Sequence, residues 1–248
     1  MTRLACLALV CLTGFVIAAD KKDRPGALIR LEKGRLAYER GDYDGAIDLY
    51  ESCLDCDRSV TIAYHECGVC YFMQSKFKQS LAEFDQYLKL EPKKANGHWQ
   101  RGIVLYYLGK YEEGKKQFEG YEAVDTNDVE NAVWHLMCAA KKDNLEKGRK
   151  GLMKIGKDRR VPMMEVYDLF KGTKKPEDIM KAAMAGDLTE EQRKPNLFYA
   201  HLYLGLYHDM TGEKKKAIEH LKQASGKYKL NYMGEVARVH LEYLEKRK

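Results

Sequence analysis

GRLAYERGDYDGAIDLY (residues 34–50), GVCYFMQSKFKQSLAEF (68–84) and GIVLYYLGKYEEGKKQF (102–118) are three versions of one phrase. Their glycines, Gly34, Gly68 and Gly102, recur every 34 residues. A turn residue follows seven places on (Gly41, Ser75, Gly109), an aromatic two later (Tyr43, Phe77, Tyr111) and a second aromatic seven later (Tyr50, Phe84, Phe118). A fixed period of this length marks stacked supersecondary units, none of which buries its apolar face alone. The glycines fall where two helices of a hairpin approach closely, with Ala46 and Ser80 as small partners opposite. Only 5 prolines interrupt the chain, which also favours helix.

Outward from this core the period weakens and returns. Phe198–Tyr207 reads as another first helix, with Gly205, a turn at Gly212, and Ala217, Leu221 and Ala224 inward on its partner. Between lie two degenerate hairpins, Val129–Ala140 with Leu145–Ile155 and Pro162–Phe170 with Pro176–Ala185. Pro162 and Pro176 suit first helical turns. A last helix, about Met233–Lys246, carries charges on one side and suits a cap on the stack. The expected architecture is therefore all-α, a solenoid of helical hairpins with a C-terminal capping helix. Its segments are 20–26 as a flexible lead, 27–128 as three regular repeats, 129–197 as degenerate hairpins, and 198–248 as a final repeat plus cap.

Residues 1–19 read as an export signal: Arg3, then an apolar run from Leu4 to Ala18, then small residues before Asp20. The run is shorter than the roughly 20 residues a spanning helix needs. The expectation is an exported protein, periplasmic or secreted, with no transmembrane helix once the signal is removed. Formal net charge is +6, spread along the chain, which argues against a nucleic-acid partner.

The regular repeats resemble the tetratricopeptide repeat (TPR) in length and in the placing of glycine and aromatic residues. From Leu28 onward the order of parts resembles the NlpI-type periplasmic TPR lipoproteins. Regular repeats come first, then a Trp-bearing helix at Val133–Leu136, then the late Phe198–Tyr207 repeat and one closing helix. Cys6 and Cys11 sit in no lipidation motif, which departs from that family and puts membrane anchoring in doubt. The resemblance implies a non-catalytic scaffold for other exported or envelope proteins, with homodimers among its forms.

In a TPR stack, positions five, nine and twelve of each first helix line the concave face. Here these are Leu31, Arg35 and Tyr38, then His65, Val69 and Phe72, then Trp99, Ile103 and Tyr106. This lining is apolar and aromatic, of the kind that marks partner sites and hot spots. The other reading is packing of these side chains against a neighbouring helix or the chain's own N-terminal segment. The places of a carboxylate clamp hold Leu31, Arg35, Glu66, Asn96 and Gln100, so no clamp is expected. The expected ligand is an apolar or aromatic segment of a partner. The alternative is a self-assembling module whose groove meets a second copy.

Cys53, Cys56, Cys67 and Cys70 flank one inter-helix turn and admit three readings. They are packing thiols, a Cys53–Cys67 disulfide in an oxidising compartment, or a tetrathiolate zinc site. Cys138 reads as a lone core thiol. The basic stretch Lys147–Arg160 reads as a solvated face, or else a contact for an anionic surface. His201 and His208 share a helix face without a third ligand placed by sequence. No phosphate loop, zinc-protease helix or nucleophile elbow is present, and no cofactor is implied.

Overall fold

The computed structural model describes residues 22–230 and 232–247. The predicted signal lies outside them. The described residues form thirteen α-helices and no strand. Three hairpins come first: α1 (Arg24–Glu39) with α2 (Tyr43–Cys56), α3 (Ile62–Met73) with α4 (Phe77–Leu90), and α5 (Trp99–Tyr107) with α6 (Tyr111–Tyr121). Then follow α7 (Val129–Lys142) with α8 (Leu145–Lys150), and α9 (Met163–Lys171) with α10 (Pro176–Met184). The chain closes with α11 (Glu190–Met210), α12 (Lys214–Ser225) and α13 (Tyr232–Lys246). No helix among the described residues is long and apolar enough to cross a membrane.

The period has a steric cause. A Cβ placed on Gly68 would stand 2.5 Å from the Phe84 ring, and one on Gly102 would stand 2.6 Å from Phe118. Gly34 faces Tyr50 in the same way. In each hairpin an aromatic of the second helix thus packs against the glycine of the first, and any side chain there would push the helices apart. Gly205 repeats the device against Leu221, at 2.7 Å. Ser80 adds a buried hydrogen bond, its Oγ donating to the Gly68 carbonyl at 2.7 Å.

Local chemistry sets the ends. Asp42 caps α2 by accepting from the Gly45 amide at 3.0 Å, and Thr189 with Gln192 forms a capping box that starts α11. That box extends α11 eight residues ahead of the predicted Phe198, carrying Pro195 in its early turns. The turn between α1 and α2 uses Gly41 at φ 77°, and that between α5 and α6 uses Gly109 at φ 72°. The equivalent Ser75 adopts φ 58°, a conformation costly for a residue with a Cβ.

Two further boundaries differ from the sequence expectation, and so does the packing of α13. α1 begins at Arg24 rather than after residue 26, because Asp23 caps it and hydrogen-bonds through its own amide to the Cys56 carbonyl at 3.1 Å. α8 stops at Lys150 instead of Ile155, and the following strap returns to the start of α7. The Gly156 amide donates to the Thr126 carbonyl and the Lys157 amide to Asn127 Oδ1, both at 3.0 Å. Finally, α13 does more than cap. One side packs on α12, and the other crosses back to the face presented by α3 and α5. Tyr232 stacks on Phe72 at 5.9 Å and meets Trp99 edge-on at 5.2 Å. Arg238 donates to the Met73 carbonyl at 2.6 Å.

The core falls into two clusters. A small one joins α1, α2 and the start of α3 and contains Cys53, Cys67 and Cys70. The large one runs from Val69 to Leu244.

Candidate functional site

The predicted groove is largely filled. Phe72, Ile103 and Tyr106 are 2% exposed or less, and Leu31 and Val69 are buried as well. α13 covers part of it: Tyr232 stacks on Phe72, and Met233, Val236, Ala237, Val239 and Leu244 are all buried. His65 does not look into the groove. It sits in a ring cluster with Phe84, Tyr87 and His98, 5.1 Å from the last. Arg35 is exposed and pairs with Glu66 at 3.4 Å, and Tyr38 is half-buried against Tyr43. Of the nine predicted groove residues, Trp99 and Ile103 line an open cavity.

That cavity, about 400 Å³, lies where α5, α6, α7, α11, α13 and the strap before α9 converge. Its walls are aromatic: Trp99, Phe118, Tyr121, Trp134, Tyr199 and Tyr232. One side is polar, with Asp128, Glu130, Asn131 and Arg160. Asp128 is the N-cap of α7, accepting from the Glu130 amide at 3.1 Å, so the start of that helix carries two acids toward the strap. Arg160 ends the strap and holds both. Its guanidinium binds Asp128 at 2.7 Å, Asp158 at 2.6 Å, and Glu130. It also lies 5.2 Å from the centre of the Tyr199 ring. Tyr203 donates to Glu130 from the other side at 2.6 Å.

The electrostatics are uneven. Burial pushes Asp128 and Glu130 above the ordinary carboxylate range, and the Arg160 charge reverses this only in part. Burial also acts on Asp158, but there the Arg160 hydrogen bonds outweigh it and the pKa is lowered. Two lining residues keep an unpaired polar atom. The Asn131 amide nitrogen donates to the Phe118 carbonyl at 2.9 Å, while its Oδ1 has no hydrogen-bond partner. The Trp134 Nε1 likewise has none.

Sequence reading placed Arg160 on a solvated basic face. The structure corrects this: Arg160 is drawn inward by three carboxylates, two of them some thirty residues away. The acids Asp128 and Glu130, and the ring of Tyr199, were missed because only the fold brings them to Trp99. One signal was available for α13. Its apolar positions, Tyr232, Met233, Val236, Ala237, Val239, Tyr243 and Leu244, spread over more of the helix than a one-sided cap requires.

Cys53, Cys56, Cys67, Cys70 and Cys138 are free in this structure, with no bridge between Cys53 and Cys67. Cys53, Cys67 and Cys70 pack as small apolar groups in the N-terminal core. Burial raises their pKa values, that of Cys70 to about 12. Among the described residues no three His, Cys, Asp or Glu side chains are placed to hold a metal ion. His201 and His208 do meet a third histidine, His220, but as ring contacts and a 2.9 Å nitrogen–nitrogen hydrogen bond between His201 and His220.

A tetratricopeptide-repeat family model matches residues 15–59, the first hairpin. Human RNA polymerase II-associated protein 3 is 29% identical over 108 residues, 44% of this chain and 16% of its own length. The chain thus spans about a sixth of that curated relative. The first TPR of Spaghetti (RPAP3), solved bound to the HSP90 peptide SRMEEVD, is 26% identical. It covers 48% of this chain and 94% of its own, with a TM-score of 0.45. A tetratricopeptide repeat protein from Parabacteroides merdae superimposes over 90% of this chain and 86% of its own, at 15% identity and a TM-score of 0.55. The described residues accordingly form an all-α solenoid of tetratricopeptide-type hairpins, closed by a C-terminal helix.

Proposed function

We propose that this chain is a non-catalytic protein–protein adaptor that receives a partner segment in the cavity bounded by Trp99, Tyr121, Trp134 and Tyr199. The observation that carries the reading is the cavity itself. It is walled by large aromatics on a rigid helical frame, and buried polar atoms on its lining lack partners. Such convergence of apolar surface with a few placed polar groups is the usual form of a recognition site. The binding role implied by the human relative's name is extended here to this chain as part of the same proposal. So is the location: the N-terminal sequence supports export, which makes other exported or envelope proteins the partners.

The segment received is extended and carries apolar or aromatic side chains. It enters beside α13 and does not replace it, because Phe72 and Tyr106 are already covered. Peptides selected by display on the full chain provide the test. Their affinity is expected to fall at least tenfold for the Trp99→Leu, Tyr121→Leu double variant, with helical content unchanged by circular dichroism. Equal binding by the variant would place the partner surface elsewhere.

One observation favours a second, self-assembling reading. Among the described residues no hairpin precedes α1, and its Leu28, Ile29 and Leu36 are about half exposed. An apolar face of this kind suits a second copy. Light scattering of the wild type and of Ile29→Glu, Leu36→Glu distinguishes the two: a dimer dispersed by the substitutions supports self-assembly, and a monomer in both removes it.

A further inference from the structure

Resting on the reading of this cavity as a partner site, we infer that it takes a basic side chain of the partner segment, the ammonium of a lysine or the guanidinium of an arginine. The charge count comes first. Asp128, Glu130 and Asp158 surround one guanidinium, and each has Arg160 as its only ion-pair partner among the described residues. One positive charge therefore serves three carboxylates. Lys157 and Arg159, on the same strap, are exposed and pair with none of them. Buried carboxylates are normally matched by cations, so the site has room in charge for a second one.

The walls supply what a desolvated cation needs. A cation is attracted to the face of Trp or Tyr within about 6 Å. This chain already uses that contact, with the Arg160 guanidinium 5.2 Å from the Tyr199 ring centre. Trp99, Tyr121 and Tyr232 offer further ring surface around the same space. The orphan polar atoms then fix the geometry. Asn131 is only 5% exposed, and its unpaired Oδ1 is an acceptor of the kind an N–H donor satisfies. Trp134 Nε1 is an unpaired donor, which the backbone carbonyl of the same partner residue satisfies. A lysine or arginine within a peptide brings both a cationic donor and a carbonyl. An acidic side chain would meet three carboxylates, and an alkyl one would leave Asn131 Oδ1 orphaned.

The molecule carries its own reporter, because its 2 tryptophans, Trp99 and Trp134, both line the cavity. The full chain is titrated with N-acetyl-lysine methylamide and N-acetyl-arginine methylamide, then with the norleucine and glutamate analogues, following tryptophan emission. The basic probes are expected to give a saturable change at least tenfold tighter than norleucine, with no response to glutamate. Glu130→Gln and Asp128→Asn should each weaken the lysine probe at least fivefold, and so should raised salt. Should those buried substitutions unfold the chain, Tyr121→Leu at the half-exposed rim serves in their place. Norleucine binding as well as lysine, or silence of all four probes up to their solubility, overturns the inference. Charge-insensitive binding of display-selected peptides that is still lost in Trp99→Leu, Tyr121→Leu would sink this inference and leave the adaptor reading standing.

Discussion

Gly68 and Ser75 show how single residues set this solenoid. Gly68→Ala tests two opposed effects. Helix propensity alone would favour alanine by about 1 kcal/mol, whereas the new Cβ meets the Phe84 ring at 2.5 Å. Phe84 is fully buried and cannot move aside, so overpacking of about 1–3 kcal/mol should win. A higher urea midpoint in Gly68→Ala would show the contact to be soft. Ser75→Gly works in the other direction. Ser75 holds φ 58° where the sister turns have glycine, so relief of about 0.5–1 kcal/mol is expected. Its hydroxyl makes one long contact to Glu242, at 3.4 Å, which subtracts little.

Buried histidines give the residue scale a pH signature. Burial depresses His65 to about 4, His98 to about 3 and His201 to about 4, below the unfolded value near 6.5. As pH falls through 6.5 the unfolded chain takes up protons that these rings refuse. Stability should therefore drop between pH 6.5 and 4. Each group removes up to about 1.4 kcal/mol per pH unit, with less from His65 and His201, which keep some solvent contact. Asp209 works in the opposite window. Burial raises its pKa, but His240, Lys141 and Arg247 together outweigh this and hold it at about 2. Its contribution is present above about pH 4 and is lost only near pH 2. Urea midpoints that stay flat from pH 7 to 5 would contradict the histidine account.

At the scale of elements, α13 is the helix whose role most needed the fold. It is held by Tyr107, whose hydroxyl meets His240 Nδ1 at 3.0 Å, and by Arg247 on Asp209 at 2.6 Å. Tyr232→Ala removes its ring contacts with both Phe72 and Trp99. A loss of about 1–3 kcal/mol is expected, with Trp99 emission shifting to longer wavelength as water reaches the indole. No spectral shift would mean that α13 does not cover this face. The helical hairpins themselves were readable from the sequence because glycine and aromatic recur at fixed offsets on contiguous residues. α13 was harder to place, since its two apolar sides serve two surfaces far apart in the chain. The strap 152–160 was hidden for a related reason: its anchors are the Thr126 carbonyl, the Asn127 Oδ1 and the Val129 amide, which no periodic pattern of apolar residues announces.

For the whole molecule, the proposed partner surface is a single cavity at the third repeat, where the sequence pointed to the entire row of first-helix positions. Trp99 and Ile103 were legible as part of it, because repeat register alone assigns their face. Asp128, Glu130, Arg160 and Tyr199 were not, because their meeting depends on irregular hairpins that depart from the period. The molecule is thus a regular stack at its start and a folded-back closure at its end, and the open site lies where the two meet.

The most direct measurement is site-specific photo-crosslinking in the native cell. A photoreactive residue replaces Tyr121 at the cavity rim or Lys78, exposed on α4 and outside the cavity. A discrete partner crosslink from position 121, absent from position 78 and abolished by Trp99→Leu, is the predicted result. Equal crosslinking from both positions, or crosslinking at 121 that persists in Trp99→Leu, would contradict a partner site in this cavity.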